Sequence, residues 1–81
     1  SQRLMQVERC EAFLQEQGFV NYRVRYHHEI ARIEVAVSEL PRLVDSSLRA
    51  VIIAACKDAG FSYVTLDLQG YRTGSMNEIS G

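Results

Sequence analysis

The sequence has little lysine, little proline and no tryptophan. Its 81 residues include one proline and five glycines, and 47% of them are hydrophobic, which excludes disordered and collagen-like chains. Nine basic and ten acidic residues give a net charge of −1, so we do not expect a general nucleic-acid or membrane-surface binder. Eight of the basic residues are arginine and only Lys57 is lysine. Because guanidinium groups bind carboxylates and phosphates in bidentate fashion, this bias suggests anion recognition.

The chain also lacks a set of cysteines that could form a disulfide framework, and it lacks a long apolar run. Cys10 and Cys56 show no zinc-ligand spacing and fall at apolar periodic positions, so we predict two reduced core residues. No apolar run approaches the ~20 residues that span a bilayer, and no signal-peptide pattern occurs. We therefore expect a cytoplasmic protein without membrane contact. Because the chain begins with Ser1 rather than methionine, we interpret it as a piece of a longer protein.

The first element is predicted to be a helix over residues 3–17, ended by Gly18. Its apolar residues follow helical spacing on one face, namely Leu4, Val7, Cys10, Phe13 and Leu14. Glu11 lies seven residues after Leu4 and therefore projects close to it, so a carboxylate borders the apolar stripe.

Two segments with strict alternation, residues 19–27 and 30–37, predict a β-hairpin with a turn at His28-Glu29. The first segment has Val20, Tyr22, Val24 and Tyr26 on its apolar side, and the second has Ala31, Ile33, Val35 and Val37. The register that aligns these sides places Arg25 opposite Arg32 and Arg23 opposite Glu34. Facing arginines repel each other unless an anion joins them, and both a solvated sheet face and an anion site fit this pattern.

The second half predicts a short helical turn up to Val44 with Ser38 as N-cap, and a helix over 47–59 preceded by Asp45-Ser46-Ser47. A third strand over 61–68 and an irregular tail over 69–81 follow. We therefore predict one α+β domain over residues 1–81, in the order helix–strand–strand–helix–strand, with two helices on one face of a three-stranded sheet. The arginine face is expected to be open. For the tail, a mobile terminus and a phosphate-contacting loop both remain open.

Few residues offer catalytic or metal chemistry. His27 and His28 are strand neighbours that point to opposite sides, so we expect no metal site. What remains is a basic platform suited to phosphate or carboxylate recognition. Its candidate residues are Arg23, Arg25 and Arg32, with Arg72 from the tail and the carboxylates Glu11 and Glu34.

Two segments carry a family resemblance. Residues 18–35 read GFVNYRVRYHHEIARIEV, and residues 60–78 read GFSYVTLDLQGYRTGSMNE. They resemble the G-F-x-x-x-R-V-R-x-H-x-x-x-A-R-I-E-V and G-F-x-Y-V-T-L-D-L-x-G-Y-R-x-G-S-x-N motifs of the C-terminal domain of the ATP-dependent sacrificial sulfur transferases, the LarE family. The resemblance covers residues 4–78, with one departure, since His28 stands where the family usually has glycine.

The resemblance implies a two-domain enzyme of the PP-loop ATP pyrophosphatase superfamily, active in nickel-pincer nucleotide cofactor synthesis. Its N-terminal PP-loop domain uses ATP and Mg²⁺ to adenylate a carboxylate of a pyridinium mononucleotide, and a cysteine then donates sulfur. Neither the S-G-G-x-D-S motif nor that cysteine occurs in this chain. The chain is therefore expected to be the C-terminal substrate-binding domain, inactive alone and without a cofactor of its own.

The resemblance also implies roles for individual residues. Arg23 and Arg25 are expected to bind the anionic mononucleotide, joined by Arg32 and Arg72, and Glu11 falls on a catalytic acidic position. The alternative is an oligomerisation module of a PP-loop enzyme, which would make the domain a contact between subunits. An RNA-binding domain is disfavoured because the strand aromatics are predicted on the face opposite the arginines.

Overall fold

The chain folds into two layers, a three-stranded sheet and helices packed on one of its faces. The computed structural model describes residues 2–73. The elements are α1 (Gln2–Glu16), β1 (Tyr22–His27), β2 (Ile30–Val35), a 3-10 turn (Val37–Glu39), α2 (Leu40–Val44), α3 (Ser46–Ala59) and β3 (Tyr63–Leu66). The predicted α+β class and the order α-β-β-α-β are confirmed, and the short helical turn predicted up to Val44 is α2.

Strand β2 lies in the middle of the sheet, antiparallel to β1 and parallel to β3. The hairpin has the predicted register, with Val24 opposite Ile33 and Arg25 opposite Arg32. The turn residue His28 has φ 57°, a left-handed conformation that histidine adopts more readily than most side chains. Period-2 alternation therefore determined this pairing, because a slip by one residue would turn the apolar side chains to the wrong face.

The core lies between the sheet and the two long helices. Its buried residues include Val24, Ala31, Ile33 and Val35 from the sheet, and Cys10, Leu14, Ile52 and Cys56 from the helices. The predicted burial of both cysteines is confirmed. Full burial of an aliphatic side chain contributes ~1.5–3 kcal/mol, so this layer supplies most of the driving force for folding.

Strand β1 starts later than predicted because α1 ends in a compact C-terminal motif. Gly18, at φ 92°, donates its N–H to the carbonyl of Gln15 (3.0 Å), and Phe19 donates to that of Leu14 (3.1 Å). This arrangement buries Phe19, whereas Val20 turns outward and is 85% exposed. The predicted core position of Val20 is therefore wrong.

Two further expectations fail at element ends. Strand β3 ends at Leu66 rather than at the predicted Leu68, whose side chain is 79% exposed. Ser38 is not an N-cap, because it lies inside the 3-10 turn, whose N-cap is Ala36. Asp45 does precede α3 as N-cap, although its carboxylate accepts a hydrogen bond from the Ser47 hydroxyl (3.0 Å) rather than from the helix backbone.

Candidate anion-binding site

The face of the sheet opposite the helices is organised around one buried carboxylate. Glu34 has no solvent exposure. It accepts hydrogen bonds from Nε and Nη2 of Arg25 (3.4 and 3.5 Å) and from Nη2 of Arg32 (3.2 Å). Glu34, which lies on β2 together with Arg32, thus relieves the repulsion expected between Arg32 and the facing Arg25. The solvated alternative is wrong, since the side chains of Arg25 and Arg32 are only 17% and 19% exposed.

The chain after β3 folds back over this face. Tyr71 donates its N–H to the carbonyl of Val35 (2.8 Å), which fastens the segment to the end of β2. Gly70 is buried with φ 87°, and a Cβ there would lie 2.7 Å from Cγ2 of Val37 and 3.1 Å from the Val35 carbonyl. The expectation of an open arginine face is therefore wrong, because residues 67–72 cover part of it. Residues 74–81 of the predicted tail lie outside the described residues.

The covering segment adds a second carboxylate and a further arginine. Asp67 Oδ2 lies 3.7 Å from Nε of Arg32 and 3.7 Å from Nη2 of Arg72. Arg25 donates from Nη2 to the main-chain carbonyl of Arg72 (3.4 Å), and Arg72 donates from Nη1 to that of Gly70 (3.0 Å). Arg25, Arg32 and Arg72 thus converge, as the sequence predicted for the candidate binding residues.

Arg23 occupies the exposed rim of the cluster. Its Nη2 donates a hydrogen bond to the Tyr71 hydroxyl (3.5 Å), and its guanidinium carbon lies 5.9 Å from the centre of that ring. Within residues 2–73, the site brings together four arginines (Arg23, Arg25, Arg32 and Arg72) and two carboxylates (Glu34 and Asp67). We call these six side chains the arginine cluster. Its guanidinium groups and its exposed rim at Arg23 make it chemically suited to hold an anion.

Glu11 lies at the edge of the sheet, and its partner is the backbone. Its Oε2 accepts the N–H of Val24 (3.0 Å), so the carboxylate links α1 to the outer edge of β1. Among residues 2–73, no ion pair joins Glu11 to the arginines. The structure thus brings five of the six candidate residues together, and Glu11, on α1, contacts the strand that carries Arg23 and Arg25.

His27 lies next to the arginine cluster. Its Nε2 is buried and has no hydrogen-bond partner among the described residues. Burial, followed by the charge of Arg32 and then that of His28, lowers the pKa of the His27 imidazole. These effects disfavour the protonated imidazole.

Neither cysteine lies in the arginine cluster. Cys10 and Cys56 meet in the core between α1 and α3, where a hydrogen bond between the two thiols, and then burial, raise the pKa of Cys56. Within residues 2–73, no three histidine, cysteine, aspartate or glutamate side chains could hold a metal ion, and no helix is long and apolar enough to cross a bilayer.

Sequence reasoning gave no role to Asp67 and Tyr71. Both lie in quoted motif positions, in the T-L-D-L and G-Y-R runs, and this was the available signal. The Asp67 carboxylate and the Tyr71 ring could not be placed at the site from the sequence. Their position depends on the return of residues 67–72 over the sheet, which brings together residues far apart in the chain.

The fold and site thus define a small α+β domain with an arginine cluster on one sheet face. No protein-family model matches the chain. The chain is 33% identical to an uncharacterized protein of Synechocystis sp. over 78 residues, covering 96% of the chain and 29% of that protein. It is 39% identical to the pyridinium-3,5-bisthiocarboxylic acid mononucleotide synthase of Lactiplantibacillus plantarum over 75 residues, covering 93% of the chain and 26% of the enzyme.

The chain therefore spans between a quarter and a third of the length of these curated relatives. The similarity to the synthase supports the resemblance to a C-terminal region of that enzyme, which the two motifs had suggested.

Proposed function

We propose that the arginine cluster binds the anionic part of a mononucleotide substrate. The observation that carries this proposal is the burial of Glu34 beneath Arg25 and Arg32, which fixes two guanidinium groups before any ligand arrives. Preorganised donors lose little conformational entropy on binding. The exposed Arg23 then provides a guanidinium group at the rim for the incoming anion.

We further propose that the parent protein is an ATP-dependent sulfur transferase of nickel-pincer nucleotide cofactor biosynthesis. The support is the similarity to the mononucleotide synthase, whose name describes a product with two thiocarboxylic acid groups on a pyridinium mononucleotide. Such a molecule carries a phosphate and acidic ring substituents, and both are ligands that arginine prefers. A cytoplasmic location remains a prediction.

In this proposal the chain is the C-terminal domain and an N-terminal PP-loop domain supplies the chemistry. The described carboxylates of the arginine cluster are already engaged by arginines, so they do not form a Mg²⁺ site. We therefore assign ATP and Mg²⁺ to the N-terminal domain. Cys10 and Cys56 are buried in the core, so we assign sulfur donation to a cysteine of the remainder of the parent.

The residues of this chain then bind and orient the substrate. Arg23, at the rim, is the first contact for a phosphate oxygen, and Arg25 lies two residues further along the same strand face. The catalytic role of Glu11 remains a prediction. Its carboxylate holds the strand that carries both arginines, so it also contributes to their position.

Calorimetric titration of the 81-residue chain with a pyridinium-3-carboxylate mononucleotide tests the proposal. Loss of one charge-assisted hydrogen bond is worth ~1.4 kcal/mol, so Arg23→Gln is expected to raise Kd about tenfold. Arg49→Gln is the matched control, because Arg49 is equally cationic and exposed but lies on α3. Equal affinity in both variants, or no saturable binding by the unmodified chain, contradicts the assignment.

A further inference from the structure

His27 is a titratable residue beside the arginine cluster that the proposed function does not use. It follows Arg25 by two positions on β1, so both side chains leave the same face of the sheet. Across the hairpin it pairs with Ile30, which precedes Arg32 by two positions on β2, so His27 and Arg32 are diagonal neighbours. The imidazole therefore lies at the hairpin end of the arginine cluster.

The surroundings of this imidazole do not stabilise its charged form. Its Nε2 is buried and has no hydrogen-bond partner among residues 2–73. A protonated imidazole needs acceptors, because both of its ring nitrogens then donate hydrogen bonds. Burial and then the charge of Arg32 lower the pKa of His27. The ligand-free domain thus carries, next to its cationic cluster, a buried polar nitrogen that the fold leaves unpaired within the described residues.

The charged and titratable groups around His27 come from every neighbouring element. They are Arg25 on β1, His28 and Glu29 in the turn, Arg32 and Glu34 on β2, Tyr63 on β3, and Asp67 and Arg72 in the segment after β3. Tyr63 stays neutral below pH ~10. Glu34 and Asp67 are already engaged by arginines. The negative charge that would favour a protonated imidazole is therefore expected to come from a ligand.

We propose that the arginine cluster takes up a proton together with its anion, and that His27 receives this proton from the solvent. The inference rests on the proposed anion binding. An anion held by Arg25 and Arg32 offsets the positive charge that acts on the imidazole, and a nearby negative charge favours the protonated form. Because linkage is reciprocal, the proton on His27 strengthens anion binding as much as the anion strengthens proton binding.

This coupling determines the sign of the pH dependence. If anion binding raises the pKa of His27 by about one unit, the anion binds about tenfold more tightly to the chain with a protonated imidazole. The gain is complete below the pKa of the ligand-free chain, which lies under the ordinary value of 6.5. It is lost as the pH rises through the higher pKa of the complex. The arginines do not produce such a dependence, since guanidinium groups stay charged throughout this range.

A histidine NMR titration of the 81-residue chain, with and without sulfate, tests the proposal. Sulfate is the probe because its charge is constant between about pH 5 and 8, whereas phosphate groups titrate near pH ~6. Saturating sulfate is expected to raise the pKa of His27 by about one unit and to change that of the exposed His28 far less. The Nε–Hε signals of Arg25 and Arg32 report sulfate binding independently.

Two variants separate His27 from its neighbour in the turn. In His27→Gln the sulfate affinity is expected to become nearly independent of pH, because glutamine does not titrate. His28→Asn is the matched control, since it removes the adjacent histidine and asparagine tolerates the positive φ of that position. This variant is expected to keep the roughly tenfold change in affinity. Circular dichroism at each pH checks that both variants remain folded.

The outcomes distinguish this inference from the proposed function. Sulfate-dependent shifts at the arginines together with an unchanged pKa of His27 overturn proton uptake and leave anion binding intact. No saturable shift at any arginine of the cluster overturns both. A pH dependence that survives in His27→Gln assigns the proton to another group and also overturns the proposal.

Discussion

Replacing Glu34 by glutamine is expected to destabilise the domain strongly. The substitution keeps the shape of the side chain and removes its charge, which leaves Arg25 and Arg32 facing each other with one less anion. Removing one partner from a buried ion pair costs ~3–5 kcal/mol. Because the two arginine side chains retain 17% and 19% exposure, we expect the lower limit, about 3 kcal/mol.

Urea unfolding followed by circular dichroism measures this loss. For a domain of this size, 3 kcal/mol corresponds to a decrease in Tm of roughly 12–24 °C. Glu39→Gln is the matched control, because Glu39 pairs with Arg42 at the surface (2.8 Å) and such pairs contribute ~0–1 kcal/mol. Added phosphate should stabilise Glu34→Gln more than it stabilises the unmodified chain, since the phosphate anion can replace the missing carboxylate. Equal losses for the two glutamine variants would refute the reasoning.

Three further predictions concern the edges and turns of the fold. Glu11→Ala should cost about 1 kcal/mol in urea unfolding, because it leaves an edge N–H without its acceptor, whereas the exposed Glu8→Ala should cost far less. Gly70→Ala should lower Tm more than Gly18→Ala: both have positive φ, but only at Gly70 would the added Cβ meet other atoms within 4 Å. The pKa of His27 in the folded chain is lower than its ordinary value of 6.5. The unfolded chain therefore binds a proton at His27 more readily than the folded chain does. Stability should therefore fall as pH drops through about 6.5, and less steeply in His27→Gln, as thermal unfolding between pH 5 and 8 would show.

The sequence was sufficient to predict the hairpin and its register. Alternation in β1 and β2 leaves one pairing in which apolar faces agree, and the structure has that pairing. The helix boundaries were also close, because apolar spacing and a following glycine indicate where each helix ends. Ser38 was misassigned since a single serine before a proline cannot distinguish a helix cap from a 3-10 turn.

The burial of Glu34 could not be predicted from alternation. A polar residue on the side opposite the apolar face is ordinarily assigned to solvent, and nothing local to β2 indicates otherwise. In the structure, Arg25 and Arg32 pack against Glu34, and residues 67–72, more than thirty positions away and held by Gly70 and the Tyr71 N–H, return over the same face. The sequence was therefore enough to predict which arginines belong to the site. Their ion-pair partners and their solvent exposure could be obtained only from the tertiary structure.

The most direct test of anion binding is an NMR titration that follows the arginine side chains themselves. The Nε–Hε signals of a nitrogen-15-labelled chain are recorded while a pyridinium-3-carboxylate mononucleotide is added, with inorganic phosphate as a second ligand. Anion binding at the arginine cluster predicts saturable shifts at Arg23 and Arg72 first, then at Arg25, and none at Arg49. Shifts confined to α3, or equal shifts at every exposed arginine, contradict it.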